Sequence, residues 1–236
     1  MTLENKIALV TGGTGELGKA LTKKLLDEGA DVVVTFRNDT ELPEFQTMFP
    51  KVTAIKANVT NEEDVHKLFE TILAKKKGLH ILCNLVGGYM PKKNLVDLTV
   101  SEWEFMFSLN LTSCFLCTRE ALRVMQKSQY GRIINVSAMA GLNLEAGRGA
   151  YGLSKAAVAG LTRMAGEEAK SIEGADITVN AIAPSILLTS PNKSSASKEE
   201  TEKWVTLEQA ANLVCFLASE GATAINGQTT RIYGRV

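Results

Sequence analysis

Short runs rich in β-branched residues recur along the 236-residue chain at intervals that each leave room for one helix. They are IALVT (7–11), DVVVTF (31–36), VTAIKAN (52–58), HILCNL (80–85), RIINVS (132–137), DITVNAIA (176–183) and TTRIY (229–233). Their apolar character is nearly continuous rather than alternating, as expected of strands buried on both faces in a parallel sheet covered by helices. Helix start signals fall between them, since Thr60 with Glu63, Thr99 with Glu102 and Thr206 with Gln209 have capping-box spacing. With no internal repeat and no linker of domain-boundary type, the pattern predicts one α/β domain over 1–236: a doubly wound, seven-stranded parallel sheet with helices on both faces. The exception is SPNKSSASKEETEK (190–203), which is polar, Ser-rich and without apolar periodicity. It reads as a mobile loop, and the span of about 186–203 as a cover for a substrate.

Composition removes several classes. The 26 basic and 26 acidic residues balance, so no net field draws the chain to nucleic acid or to an anionic membrane. The start, MTLENKIALVTGG, lacks a basic region followed by a long apolar one, and no apolar stretch reaches the roughly 20 residues of a membrane span. The expectation is a cytoplasmic protein. Cys83, Cys114, Cys117 and Cys215 are scattered through apolar segments, which fits a reducing compartment and no disulfide. Cys114 and Cys117 form a CxxC within a stretch that reads as buried helix, so a redox role is disfavoured. His66 and His80 have no ligand-spaced neighbours, which leaves no metal site and no Ser-His-Asp hydrolase.

The first strand runs into Thr11-Gly12-Gly13-Thr14-Gly15-Glu16-Leu17-Gly18, and Gly13, Gly15 and Gly18 spell GxGxxG. Alone the pattern is weak; between a strand and an amphipathic helix, with a second strand ending about twenty residues on, it points to a dinucleotide. Glycines let the backbone approach a pyrophosphate, whose charge then meets the free N–H groups of the helix. Glu16 is awkward there, because a carboxylate about 4 Å from a pyrophosphate costs on the order of 1 kcal/mol even when solvated. It is expected to face solvent. The second strand ends in Thr35-Phe36-Arg37-Asn38 rather than in an acid, and Arg37 suits a 2′-phosphate, so NADPH is favoured with NADH as the second option, Asp39 lying nearby.

At Tyr151-Gly-Leu-Ser-Lys155 the chain resembles the short-chain dehydrogenase/reductase family, whose YxxxK lies on a helix after the fifth strand. The resemblance spans essentially the whole chain through Asn84 in NLVGG, Asn110 in SLNLTSCF, INVSAMAG, NAIAPS and FLASEGATAINGQT. It implies a Rossmann-type fold and a hydride transfer, with Tyr151 as proton donor, Lys155 as its activator and Asn110 as the holder of a relay water. Residues four apart share a helix face, so Lys155 can stand beside the Tyr151 phenol. Bringing that phenol from about 10 to about 7 needs some 4 kcal/mol, which Lys155 and a nicotinamide cation would supply together. The resemblance further implies cofactor contacts from Gly12, Gly13, Thr14, Gly15, Leu17 and Gly18, from Arg37, Asn58 and Val59, from Asn84, Val86 and Gly87, from Tyr151 and Lys155, and from Pro184 and Ile186. Family members usually assemble through the two helices represented by about 100–127 and 151–171, which predicts a homotetramer or homodimer.

Four positions depart from the family. Ala138 stands where most members carry the serine that bonds the substrate oxygen; Ser137 can replace it only if the chain bends, because adjacent strand residues face opposite ways. The alanine is shared with the dihydropteridine reductase branch, which the 190–203 segment also loosely resembles. Glu16 replaces a glycine of the turn, Asn58 an aspartate and Ser185 a glycine. The leading reading is therefore an NADPH-dependent reductase of a small carbonyl or conjugated imine, and the alternative a weakly catalytic dinucleotide-binding sensor or scaffold. Substrate specificity falls to GGYMPKKN (87–94), GLNLEAGRG (141–149) and 186–203, with Tyr89, Asn143, Arg148 and Ala138 as candidate contacts.

Overall fold

The computed structural model describes residues 2–194 and 196–236. All seven β-branched runs become strands whose ends move by no more than two residues from those expected: β1 (Ile7–Thr11), β2 (Asp31–Phe36), β3 (Thr53–Lys56), β4 (Ile81–Asn84), β5 (Tyr130–Val136), β6 (Asp176–Pro184) and β7 (Thr229–Ile232). They form one parallel sheet in the order β3-β2-β1-β4-β5-β6-β7. The first half carries α1 (Glu16–Asp27), α2 (Leu42–Met48) and α3 (Glu62–Lys76); α4 (Val100–Phe107) and α5 (Ser113–Ser128) follow β4. After β5 come α6 (Met139–Asn143) and α7 (Gly149–Lys170), and after β6 the short α8 (Ser190–Lys193) and α9 (Lys198–Thr201), then α10 (Leu207–Ala218).

Because strand side chains alternate, the sheet feeds two cores. Ala8, Val10, Val32, Val34, Ile81, Cys83 and Ile182 pack with Leu21 and Leu25 of α1 and with Val214 and Leu217 of α10. On the opposite face Leu9, Val33, Leu82, Ile133 and Val179 meet Leu68 and Ile72 of α3, Leu116 and Met125 of α5, and Ala165 of α7. The chain winds outward from β1 in both directions, so the order reverses between β1 and β4, and a crevice opens beyond their carboxyl ends, where such sheets take ligands.

Two local readings need correction. The Thr99 and Thr206 capping boxes are present, but α3 is capped by Asn61, whose Oδ1 accepts from the Asp64 N–H at 2.9 Å, while Thr60 bonds to Asn58. Both positions carry a competent cap, and the sequence does not choose between neighbours. The 190–203 segment is not without regular structure: it holds α8 and α9, Ser197 and Glu200 make a further capping box, and on its flanks Leu187 bridges Val205 in strand fashion. Helices of four residues are too short to show an apolar period, which is why the pattern was invisible. Ser195 lies outside the described residues. Among those described, no helix is long and apolar enough to cross a membrane.

Candidate active site

The glycine turn is fastened to the end of β2. The Gly12 N–H donates to Thr35 Oγ1 and the Gly13 N–H to the Thr35 carbonyl, both at 3.0 Å. Gly12 takes φ +67°, a left-handed conformation that glycine adopts without strain. A Cβ on Gly18 would stand 2.5 Å from the Gly12 carbonyl oxygen, so only glycine lets α1 begin this close to β1. Gly15 caps α1 without a side chain, which leaves the first-turn N–H groups with no side-chain acceptor. That is the donor set a pyrophosphate requires.

The catalytic candidates converge across the reversal point. Asn110 lies in a π-helical turn, Ser108–Thr112, that joins α4 to α5. Its Oδ1 accepts from the Gly88 N–H at 2.8 Å, and its Nδ2 donates to Ser154 Oγ at 3.0 Å and to the Gly88 carbonyl at 3.2 Å. Ser154 Oγ in turn donates to the Tyr151 carbonyl at 2.8 Å. A Cβ on Gly87 would meet Asn110 Oδ1 at 2.8 Å and Lys155 Nζ at 2.9 Å, so Gly87, Asn110 and Lys155 share one spot. Lys155 is 6% exposed, its ammonium donates to the Val136 carbonyl at 2.9 Å, and burial pulls its pKa down to about 8. Ser154, missed in the sequence, carries a signal only in hindsight: it lies three residues after Tyr151, one turn along the same helix.

Tyr151 differs from expectation. Burial raises its pKa, and the charge that opposes this is Arg148, one helical turn earlier, rather than Lys155. Its ring meets Tyr89 edge-on at 5.3 Å between centres, and Arg148 Nη1 donates to Tyr89 Oη at 2.8 Å. Tyr89 and Arg148 thus gather at the mouth beside Tyr151, while Asn143 ends α6 exposed and does not join them. Ala138 is buried, and Ser137 does not replace the missing hydroxyl: its Oγ donates to the Lys155 carbonyl of α7 at 2.7 Å. The side chain of Asn84 also turns inward, donating to Asn135 Oδ1 at 2.9 Å and Thr118 Oγ1 at 3.2 Å, so its carboxamide is committed to the interior. Cys114 and Cys117 are buried free thiols pushed up by desolvation, Cys114 to about 12, which disfavours the thiolate that redox chemistry needs.

On the nucleotide side, Arg37 is exposed at the end of β2 and forms no ion pair among the described residues, because Asp39 pairs with Lys56. Asn58 is exposed with Oδ1 taken by Thr60, and Val59 is buried behind it. Val86 packs against Gly12, Pro184 closes β6 and Ile186 follows it, part-exposed. Thr14 donates to Glu41 Oε2 at 2.6 Å, an acid that the motif gave no reason to single out. Glu16 is half-buried at the surface, and both its carboxylate oxygens accept from the Ser190 N–H at 3.0 Å, which ties the turn to the segment after β6 and directs the charge at a donor.

A reversal-point crevice with a glycine turn and a converged Asn, Tyr and Lys defines a dinucleotide-dependent oxidoreductase by its architecture. Residues 6–200 match the family model described as short chain dehydrogenase, and the chain belongs to the short-chain dehydrogenase/reductase family. It is 31% identical to the 3-oxoacyl-[acyl-carrier-protein] reductase FabG of Aquifex aeolicus, over 98% of this chain and 97% of that one. Dehydrogenase/reductase SDR family member 4 of Mus musculus is 30% identical over 98% of this chain and 87% of its own length. Among solved structures, ElxO with NADP bound superposes with a TM-score of 0.90 at 27% identity, covering 97% of both chains. The protein is an oxidoreductase of this family, and the family's NAD(P)H cofactor fits the uncapped α1 terminus and the Gly87 cradle.

Proposed function

We propose that the chain is an NADPH-dependent reductase of a small carbonyl compound or conjugated imine, with Tyr151 as proton donor. The observation that carries the reading is the meeting of Gly87, Asn110 and Lys155 at the reversal point, with Ser154 tying Asn110 to the helix of Tyr151. The bound cofactor supplies a hydride to the substrate carbon. Tyr151 gives the phenolic proton to the substrate oxygen or nitrogen, and its raised pKa keeps that proton in place at neutral pH. Lys155 offers a buried ammonium to the nicotinamide ribose, and Asn110 fixes the Gly87–Gly88 backbone that walls the site. The glycine turn and α1 terminus take the pyrophosphate, and Arg37, free of a carboxylate, takes the 2′-phosphate that distinguishes NADPH. The NADP bound by ElxO and the ketone-reducing name of the Aquifex relative support the same reading. A cytoplasmic homotetramer or homodimer is proposed with it, built on the helices that carry exposed Phe105, Phe115, Leu153 and Met164.

Replacing Tyr151 by Phe is expected to lower kcat by roughly 10²–10⁴ with NADPH binding kept, and undiminished turnover would overturn the assignment. A second reading, a dinucleotide-binding sensor with little turnover, is favoured by one observation: Ser137 is committed to the Lys155 carbonyl and does not replace the hydroxyl missing at Ala138. Fluorescence titration with NADPH and NADH separates the first step from the second. Tighter NADPH binding that is lost in Arg37→Ala supports the phosphate assignment, and binding without turnover of ketones, quinones or quinonoid pterins favours the sensor.

A further inference from the structure

The segment that carries Tyr151 meets the loop after β4 at a short bridge, where Lys93 pairs with Arg148 and its N–H donates to the Gly147 carbonyl at 2.8 Å. Lys92, Lys93 and Arg148 come together there. Lys93 Nζ holds both carboxylate oxygens of Glu102 at 2.7 Å, and Lys92 Nζ stands 3.9 Å from Glu145. Arg148 forms no ion pair among the described residues; Tyr89 receives its Nη1, the Tyr89 ring centre lies 5.4 Å from the guanidinium carbon, and Nε has no partner. With Lys93 held by Glu102 and Lys92 within reach of Glu145, Arg148 is the cation of this bridge that has no carboxylate partner among the described residues. Arg148, Lys93 and Tyr151 line one crevice that is closed to water in this arrangement of side chains, and the Arg148 charge is the one that opposes burial at the Tyr151 phenol. Tyr89 is 60% exposed, so it can swing aside and release the guanidinium to a ligand.

A guanidinium presents a planar pair of donors that fits a carboxylate in bidentate fashion. We propose that Arg148 recognises an anionic group of the substrate, so that the carbonyl compound reduced beside Tyr151 carries a carboxylate. The inference rests on the reductase reading above and narrows its substrate class. A carboxylate gives the Arg148 guanidinium the charged partner it lacks among the described residues, and a neutral ketone does not.

The test compares acetoacetate with ethyl acetoacetate, which present the same ketone with and without the charge, as oxidants of NADPH. A charge-assisted contact predicts a kcat/KM for the acid above that for the ester by roughly tenfold or more. In Arg148→Ala the ratio falls to near one, and in Arg148→Lys it is partly kept. Equal use of both by the wild type, or a preference that survives in Arg148→Ala, overturns the proposal. If the wild type oxidises NADPH with neither compound, the reductase reading fails for such ketones, and calorimetric titration with malonate then decides the anion site by itself. Binding weakened about tenfold in Arg148→Ala sustains it, and equal binding overturns it. Arg148→Gln, which keeps a donor for Tyr89, replaces the alanine variant if that one melts early.

Discussion

The two sides of the crevice are built by different means. On the nucleotide side the backbone itself makes the site: Gly12 at φ +67° and Gly18 pressed against the Gly12 carbonyl leave no room for an alternative residue. On the substrate side the site is made by side chains reaching between distant segments, as Asn110 reaches Ser154 and Arg148 reaches Tyr89. Backbone close approach tolerates almost no substitution, whereas a side-chain bond can be traded for another of similar reach. The glycines of the nucleotide half therefore follow the family pattern, and its departures, Glu16 and Asn58, fall on side chains, as do Ala138 and the unpaired cation Arg148 in the other half.

The comparison can be broken most sharply at Gly18. Alanine there places a methyl against backbone, an overpacking that costs about 1–3 kcal/mol or roughly 5–150-fold in NADPH affinity, read by fluorescence titration. Unchanged affinity would mean that close approach is not what makes this half. The opposite experiment is Ala138→Ser, which puts a hydroxyl where most family members carry one; if the proposed reductase uses that position, kcat toward ketones is expected to rise by roughly tenfold, part of the 10²–10³ such a donor is worth. NADPH affinity should stay as it is, since Ala138 belongs to the other half.

Lys155 stands at the seam, and its depressed pKa fixes the sign of two pH effects. Between about 8 and the ordinary 10.5 the unfolded chain holds a proton that the folded chain lacks, so stability rises with pH across that window. A step that needs the ammonium behaves in the reverse manner, and kcat/KM should fall by up to roughly tenfold per unit above pH 8. A profile flat to about pH 10 would show that the charge is not used. The smallest effect is expected at Glu16→Gln, which weakens the contact to Ser190 across the two halves. Stability should change by less than about 1 kcal/mol, with faster proteolysis of 190–203 as the measured signature.

What could be read in the sequence follows the same division. Strands declared themselves through β-branched runs buried on both faces, and Thr99 and Thr206 through caps that are local to four residues. Tyr151 and Lys155 were legible through the resemblance to a family whose YxxxK they match, and the spacing of four explains only why they share a helix face. The bond from Asn110 to Ser154 spans 44 positions and that from Glu16 to Ser190 spans 174, and nothing local in either segment announces its partner. Thr60 and Asn61 compete for one cap at equal chemistry, and the structure chooses the second. Arg148 was a candidate by position alone; that it is the cation of its cluster without a carboxylate partner among the described residues shows only once Lys92 and Lys93 are seen beside Glu145 and Glu102.

The π turn at Ser108–Thr112 gives the run from α4 through α5 one residue more than an unbroken α-helix would need, as the bond from the Ser113 N–H to the Ser108 carbonyl records. Each α-helical residue advances about 100° around the axis, so the extra one offsets α4 from α5 by about that angle. Asn110 looks into the crevice because of that offset, while Leu116 and Met125 still face the core. Removing Leu109 would let the rod close into a regular helix and force a choice between the two, aiming either the carboxamide or the apolar face away from its partner. The alignment of this site is thus a property of the number of residues in the rod as much as of their kind.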